Sequence, residues 1–196
     1  MTAMPREIVL ASSSRYRKSL VARLGLDCQT VTPDIDEMAL PAEAPVATAT
    51  RLAQAKARKV ALVKPAALII GSDQVALLDE RVLGKPGTHA AAFLQLQAMR
   101  GKTTVFHTAI CLYDAVSDEM QCANVPTLVR MRDLSDEAIE RYLLQDQPYD
   151  CAGSAKIEML GIALVEKVES DDPTALIGLP LITLVTFLKR AGIELP

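Results

Sequence analysis

The chain has 196 residues, of which 50% are hydrophobic and 23% are charged, and its formal net charge is −3 at pH 7. This composition excludes a disordered, collagen-like or coiled-coil protein, and the net charge argues against a surface that coats nucleic acid nonspecifically, so we expect no nucleic-acid partner. A chain of this length forms one domain or a pair of lobes.

The sequence shows no membrane-spanning segment, no secretory signal and no zinc-binding cysteine motif. The longest apolar stretch, residues 175–188, is interrupted by a glycine, a proline and two threonines, and it is shorter than the roughly 20 residues of a membrane-spanning helix. Arg6 and Glu7 stand where a secretory signal would have its apolar core. We therefore expect a cytoplasmic protein that does not bind membranes. The four cysteines include no C-x-x-C pair and the chain has only two histidines, so a zinc site would have too few ligands. We expect reduced, mostly buried thiols.

Hydrophobic periodicity, capping residues and turn residues predict alternating strands and helices. In chain order we predict a strand at 7–11, a helix at 16–24, a strand at 28–32, a helix at 46–63, strands at 66–70, 75–78 and 81–83, a helix at 89–99, a hairpin of strands at 103–113 and 120–132, a short helix after Ser135, a strand at 164–168 and a helix at 181–191. This order favours an α/β protein with a mixed sheet.

A serine-rich turn leads into the first predicted helix. Ser12 and Ser14 precede Arg17, and no acidic residue lies nearby. Hydroxyl groups and free backbone N–H groups at the positive end of a helix dipole, with guanidinium groups one turn away, are the components of an anion-binding site.

Carboxylates and a lysine follow in three further segments. Asp73 comes just after the predicted strand at 66–70, where open α/β sheets place ligands, and could bind a metal or accept a proton from water. Residues 33–37, ending at Glu37, offer hard oxygen ligands for Mg²⁺ or Mn²⁺. Lys85 stands between a glycine and a proline and presents an ammonium group on a turn.

Each pattern by itself is equally typical of ordinary structure: a capped helix with solvated arginines, an Asx turn, a polar loop or a surface turn. Together they supply anion donors, lysines and clustered carboxylates within one small chain. This set suits metal-assisted phosphate chemistry.

The order of these segments resembles the Maf family of nucleotide pyrophosphatases over nearly the whole chain. The matching motifs are Ser-x-Ser-x-x-Arg at 12–17, Arg-Leu-Ala-x-x-Lys-Ala at 51–57, Gly-Ser-Asp at 71–73, Gly-Lys-Pro at 84–86, Cys-Ala-Gly-Ser at 151–154 and Gly-Leu-Pro at 178–180. The resemblance implies one Maf-like domain over residues 1–196. It also implies a mixed, elongated central sheet flanked by helices, akin to inosine triphosphate pyrophosphatases, with two lobes around a cleft as one expected arrangement.

The resemblance also implies an activity and a set of site residues. Nucleoside triphosphates would be cut to monophosphate and pyrophosphate with a divalent metal, Mg²⁺ or Mn²⁺, and a homodimer is one expected state. Asp73 would be the catalytic residue, either as proton acceptor or as metal ligand, with Glu37 as a further metal ligand. The phosphate-binding residues would be Ser12, Ser14, Arg17, Lys56 and Lys85.

Three positions favour one branch of the family. Tyr16, Gln74 and Glu158 resemble the 7-methyl-GTP branch, whereas the dTTP/UTP branch typically has Arg, Thr and Gln there. Guanine offers N1–H and N2–H donors that the Glu158 carboxylate could accept, and N7 methylation gives the base a positive charge that an aromatic ring attracts. We therefore expect hydrolysis of 7-methyl-GTP to 7-methyl-GMP and pyrophosphate, which would clear modified nucleotides.

Three alternatives remain open from the sequence. The chain could be a dTTP/UTP pyrophosphatase of the same family, or a nucleotide-binding regulator of septation without useful turnover. It could also be a structural α/β domain in which the motifs are coincidental.

Overall fold

In the computed structural model, residues 6–195 form seven strands, five α-helices and three short 3₁₀ turns. The strands are β1 (Ile8–Ala11), β2 (Cys28–Val31), β3 (Leu68–Leu78), β4 (Arg81–Leu83), β5 (Thr103–Asp114), β6 (Glu119–Met131) and β7 (Val165–Ser170). The α-helices are α1 (Arg15–Ala22), α2 (Pro45–Ala61), α3 (His89–Met99), α4 (Asp136–Asp146) and α5 (Leu181–Arg190). None of the helices in this part of the chain is both long and apolar enough to cross a bilayer.

The strands form one mixed sheet in the order β2-β1-β3-β5-β6-β7, with β4 paired to β3. Strand β1 pairs in parallel with both β2 and β3, whereas β3–β4 and β6–β7 are antiparallel. The predicted α/β class with a mixed sheet is therefore confirmed.

The chain folds into two compact units. Of the described residues, the first contains 6–74, 108–125 and 172–195, and the second contains Val75–His107 and Pro126–Asp171. The single domain over residues 1–196 stays a prediction, and its first and last residues lie outside the described part of the chain.

In the first unit, apolar side chains cover both faces of the parallel strands. Ile8 and Leu10 of β1 pack in a cluster with residues of α1 and α5, while Val9 and Ala11 pack with Ala57 and other residues of α2. Because successive strand side chains point to opposite faces, a strand with helices on both sides must be apolar throughout. This explains the unbroken Ile-Val-Leu-Ala sequence of β1.

Gly71 allows α2 to approach β3 closely. A Cβ atom at this position would lie 2.1 Å from the backbone oxygen of Ala53 in α2. Only glycine fits such a contact without displacing the helix. This contact fixes the height of α2 over the strand that continues to Asp73.

In the second unit, α3 and α4 pack against each other. Thr88 and Ser135 cap them by accepting hydrogen bonds from backbone N–H groups three residues later, as their position before each helix predicts. Helix α3 and the strands β4, β5 and β6 lie within one residue of their predicted bounds, and α4 follows Ser135 as predicted.

The structure corrects the prediction for residues 66–78. Strand β3 does not end at Ile70 but runs from Leu68 to Leu78, so that Asp73 lies within a strand. Pairing with β1 ends at Gly71, and β3 continues because β5 adjoins its other edge. Asp73 therefore lies just beyond the parallel pairing with β1, while remaining in the sheet.

The prediction of four reduced thiols is wrong for two cysteines. Cys111 of β5 and Cys122 of β6 form a disulfide with Cα atoms 4.2 Å apart, while Cys28 and Cys151 are free. The residue spacing across the turn that joins β5 and β6 places these two cysteines opposite each other. Counting C-x-x-C pairs does not detect such a cross-strand pair.

Candidate active site

The serine-rich turn directly follows β1. Ser12 is buried, and its Oγ accepts a hydrogen bond from the backbone N–H of Ser14 at 3.1 Å. Ser14 is the N-cap of α1, and its Oγ accepts a hydrogen bond from the N–H of Arg17 at 3.4 Å. The first turn of α1 contains no acidic residue to complement the helix dipole. Within this turn, the positive end of α1 is therefore offset only by the Ser14 cap and not by an acidic side chain.

A buried lysine joins two carboxylates. Lys56 Nζ lies 2.6 Å from Asp73 Oδ1 and 2.7 Å from Glu37 Oε1. Lys56 and Asp73 are only 5% and 9% exposed, whereas the Glu37 side chain is 58% exposed. Lys56 belongs to the apolar face of α2, which otherwise consists mainly of alanine, leucine and valine. A charged residue on such a face requires partners, and the two carboxylates satisfy that requirement.

Among the described residues, only Lys56 hydrogen-bonds the Asp73 carboxylate, and it does so through Oδ1. Oδ2 is therefore free to accept a hydrogen bond from water or to coordinate a cation. Lys56 thus holds one oxygen of this carboxylate in place, while the other oxygen can bind a ligand.

Arg17 lies within electrostatic reach of these carboxylates. Its Nε donates to the Gly178 carbonyl at 2.8 Å, which fixes the guanidinium and leaves the two Nη groups for other partners. Burial lowers the pKa of Arg17, while the charges of Asp73 and Glu37 act in the opposite direction. The buried Ser72 Oγ lies 2.9 Å from the same carbonyl oxygen and 2.8 Å from that of Ala109, and it donates its one hydrogen to one of the two.

A further ion pair holds the loop that carries Glu37. Arg51 donates from Nε and Nη2 to the two oxygens of Glu43 at 2.7 and 2.8 Å, and from Nη2 to the carbonyl of Met38 at 3.0 Å. Hydrogen bonds from Arg51 and from the Leu40 N–H lower the pKa of Glu43 to about 2. Arg51 thereby anchors the backbone immediately after Glu37.

The three residues predicted to select the base have different surroundings. Tyr16 is partly buried, its hydroxyl accepts from Arg15 Nη2 at 2.8 Å, and the Arg15 guanidinium lies 4.8 Å from the ring centroid. Gln74 is partly buried and its side-chain amide is anchored by the segment around Ala175. Glu158 belongs to the second unit, where it is exposed.

The structure thus brings Arg17, Glu37, Lys56 and Asp73 together in the first unit, next to the turn of Ser12. Lys85 belongs to the second unit, where it is exposed. The roles assigned to all these residues stay predictions.

A divalent cation fits the donor set. Within residues 6–195, no group of three or more His, Cys, Asp or Glu side chains is placed to hold a metal ion. Asp73 and Glu37 nevertheless form a pair of hard oxygen donors around the ammonium of Lys56. Mg²⁺ is typically held by one or two carboxylates together with substrate phosphates, so two carboxylates suffice for a metal that enters with a nucleotide.

The sequence did not predict the role of Asp172, which stabilises the loop whose Gly178 carbonyl binds Arg17. Asp172 is 2% exposed and accepts hydrogen bonds from the N–H and Oγ1 of Thr174 and from the N–H of Ile182. These bonds fix the loop that carries Gly178. The Asp-Asp-Pro-Thr sequence at 171–174 is typical of a capping turn, but nothing local links it to Arg17.

Comparison with known proteins gives consistent matches. The family model described as "Maf-like protein" matches residues 7–191. The chain is 55% identical over 185 residues to a 7-methyl-GTP pyrophosphatase of Cupriavidus metallidurans, covering 94% of this chain and 93% of that protein. It is 57% identical over 187 residues to a protein of the same name from Methylobacillus flagellatus, covering 95% and 97%.

One further relative and one solved structure complete the comparison. A 7-methyl-GTP pyrophosphatase of Aromatoleum aromaticum is 54% identical over 190 residues, covering 97% of this chain and 98% of that protein. A solved nucleoside-triphosphatase, a dITP/XTP pyrophosphatase from Mycobacterium abscessus, aligns with TM-score 0.42 and 15% identity, covering 65% of this chain and 75% of that one. The family model spans nearly the whole chain and the relatives are more than half identical to it, so this protein belongs to the Maf family.

Proposed function

We propose that this protein hydrolyses 7-methyl-GTP to 7-methyl-GMP and pyrophosphate. One observation carries the proposal: relatives 54–57% identical to the chain, and matched over more than nine tenths of both sequences, all have the name 7-methyl-GTP pyrophosphatase. The arrangement of charges in the first unit supports a reaction of this class. The cytoplasmic location and the homodimeric state expected from the sequence stay predictions.

The triphosphate is bound by the cationic and hydroxyl groups around the first helix. Ser12 and Ser14 present hydroxyl groups beside the N-terminus of α1, and Arg17 contributes Nη donors whose direction its bond to Gly178 restricts. Lys56 and Lys85 add ammonium groups, the role of Lys85 resting on the family resemblance alone. Binding of this kind offsets the charge that develops on the pyrophosphate, which is the main task in phosphoryl transfer.

Water attacks the α-phosphorus, and Asp73 either accepts the proton of that water or holds the metal. Lys56 donates a hydrogen bond to Asp73 Oδ1, so Oδ2 is the oxygen available to water or a cation. Glu37 and Asp73 would together hold Mg²⁺ or Mn²⁺. When bound, such an ion lowers the pKa of water and neutralises phosphate charge.

Base selection depends on charge and on donor pattern. A 7-methylguanine ring carries a positive charge and would stack on the face of Tyr16 that Arg15 does not cover, which is worth about 0.5–2 kcal/mol, or roughly two- to thirtyfold in affinity over neutral guanine. Glu158 would accept the N1–H and N2–H donors of the base, and Gln74 is the third selecting residue.

Steady-state pyrophosphate release on 7-methyl-GTP, GTP, UTP, dTTP and CTP, with Mg²⁺ or Mn²⁺, tests the substrate. The expected result is the highest kcat/KM on 7-methyl-GTP. A preference for UTP and dTTP would replace the proposal with the other branch of the family. Nucleotide binding without metal-dependent hydrolysis would favour a regulator of septation instead.

Asp73→Asn tests the chemistry. The amide keeps the shape of the carboxylate, and Lys56 retains Glu37 as a partner, so the variant should fold while kcat falls by about 10²–10⁴, the usual contribution of a general base. A folded variant with near wild-type turnover would remove Asp73 from the reaction.

Glu158→Gln tests base recognition. The amide replaces one carboxylate oxygen by an NH₂ group, which would face a guanine donor, so the preference for 7-methyl-GTP over UTP should decline while turnover of UTP persists. Unchanged selectivity would contradict the role of Glu158.

A further inference from the structure

The Gln74 side chain is held by a network that no motif predicted. Its Nε2 lies 2.8 Å from Thr108 Oγ1 and 3.1 Å from each of the carbonyl oxygens of Ala175 and Leu176. Thr108 is completely buried on β5, and its Oγ1 lies 2.8 Å from the same Ala175 carbonyl. All four residues belong to the first unit.

Donor counting decides which way the Gln74 amide faces. A threonine hydroxyl has one hydrogen, and Thr108 donates it to Ala175, so toward Gln74 the hydroxyl can only accept. The carbonyls of Ala175 and Leu176 also only accept. The three oxygen atoms around this end of the Gln74 amide therefore all accept hydrogen bonds. The amide atom that faces them must be the nitrogen of the NH₂ group.

The amide oxygen consequently points away from this network. The two N–H groups are used within the protein, and rotating the amide by 180° would place Oε1 against three acceptors. The side chain can therefore offer a ligand its oxygen but not its nitrogen. A glutamine amide can normally donate through its nitrogen or accept through its oxygen. Here the network uses the donors, so Gln74 can act toward a ligand only as an acceptor.

We propose that Thr108 is a positioning residue that fixes Gln74 as a hydrogen-bond acceptor for the nucleobase. The identity of the base rests on the proposed function, whereas the fixed direction of the amide does not. An acceptor suits the guanine edge, which carries the N1–H and N2–H donors, better than the uracil edge, which places one donor between two acceptors. Thr108 acts through Gln74 and not on the phosphates.

Thr108→Val removes the hydroxyl while keeping the shape of the side chain. Thr104→Val is the matched control, because Thr104 lies on the same strand, is equally buried, and its Oγ1 has no hydrogen-bond partner among the described residues. Thr108→Ser retains the hydroxyl and should rescue the function. All three variants are compared with the wild type for Tm and for kcat and KM on 7-methyl-GTP and UTP.

In Thr108→Val, kcat/KM for 7-methyl-GTP should fall roughly three- to tenfold relative to that for UTP, mainly through KM, as expected for the loss of one neutral hydrogen bond. Thr104→Val and Thr108→Ser should keep the wild-type ratio. An unchanged ratio in Thr108→Val, an equal loss on both substrates, or the same loss in Thr104→Val would overturn the proposal.

A measurement independent of turnover separates this proposal from the proposed function. In ¹H–¹⁵N NMR spectra, the side-chain NH₂ resonances of Gln74, assigned by their absence in Gln74→Met, should shift in Thr108→Val and stay in place in Thr104→Val. If they do not move in Thr108→Val, the proposal is wrong whatever the substrate. If they move but the wild type prefers another nucleotide, only the proposed substrate fails, and the ratio is then measured on the preferred nucleotide.

Discussion

Gly71→Ala tests the link between backbone packing and the candidate site. The added Cβ would lie 2.1 Å from the Ala53 carbonyl oxygen, where ordinary contacts begin near 3.4 Å. Helix α2 must therefore move away from β3 by about 1 Å. Because Ala53 and Lys56 lie within one turn of α2, the same movement would stretch the 2.6 Å bond between Lys56 and Asp73 beyond hydrogen-bonding range.

The expected cost has two parts. Overpacking a close helix–strand contact typically costs about 1–3 kcal/mol, and weakening a buried ion pair adds to this, so we expect roughly 3 kcal/mol of lost stability. For a chain of this size, that corresponds to a fall in Tm of about 6–12 °C. A displacement of about 1 Å among reacting groups lowers kcat/KM by roughly 100-fold.

Thermal unfolding followed by circular dichroism measures the first effect, and pyrophosphate release well below the Tm of the variant measures the second. Gly84→Ala is the stability control, since a Cβ there meets no atom within 4 Å and the residue has no positive φ. Its Tm should change by no more than about 4 °C. A Gly71→Ala protein with wild-type Tm and wild-type rates would show that close packing of α2 on β3 does not control the Lys56–Asp73 pair.

Three further predictions concern charge, loop support and cysteines. The folded pKa of Glu43, about 2 beside Arg51, lies below its ordinary 4.5, so its stabilising effect is present above pH 4.5 and is lost as the pH falls toward 2. Glu43→Gln should therefore flatten the acid limb of stability against pH, and an unchanged limb would contradict this. Asp172→Ala leaves buried donors unpaired and should cost about 3 kcal/mol in urea unfolding, with a change below 1 kcal/mol counting against it. Thiol titration of the oxidised, denatured protein should count two thiols, and four would exclude the bond between Cys111 and Cys122.

Arg15 and Tyr16 are adjacent in the sequence, but their contact is seen only in the structure. Adjacent basic and aromatic residues at 15 and 16 are visible in the sequence. The structure places the Arg15 guanidinium over the Tyr16 ring. One ring face therefore already has a cationic neighbour, which restricts where a methylated base could stack.

Local patterns were sufficient for most elements. The capping residues Thr88 and Ser135 and the apolar sequence of β1 predicted their elements because capping and a continuous apolar run depend on neighbours in the chain. The continuation of β3 through Gly71 and Asp73 could not be predicted in this way, since both residues have low strand propensity and pairing with a distant strand outweighs it.

The α/β class, the order of the motifs and the chemical types available for a phosphate site could all be inferred from composition and short-range spacing. The folded chain was needed to show that Lys56 joins Asp73 to Glu37, and that Thr108 and Ala175 restrict the Gln74 amide to one direction. Hydrogen bonds between residues so far apart in the chain depend on how strands and loops pack, and packing has no signature in any single segment.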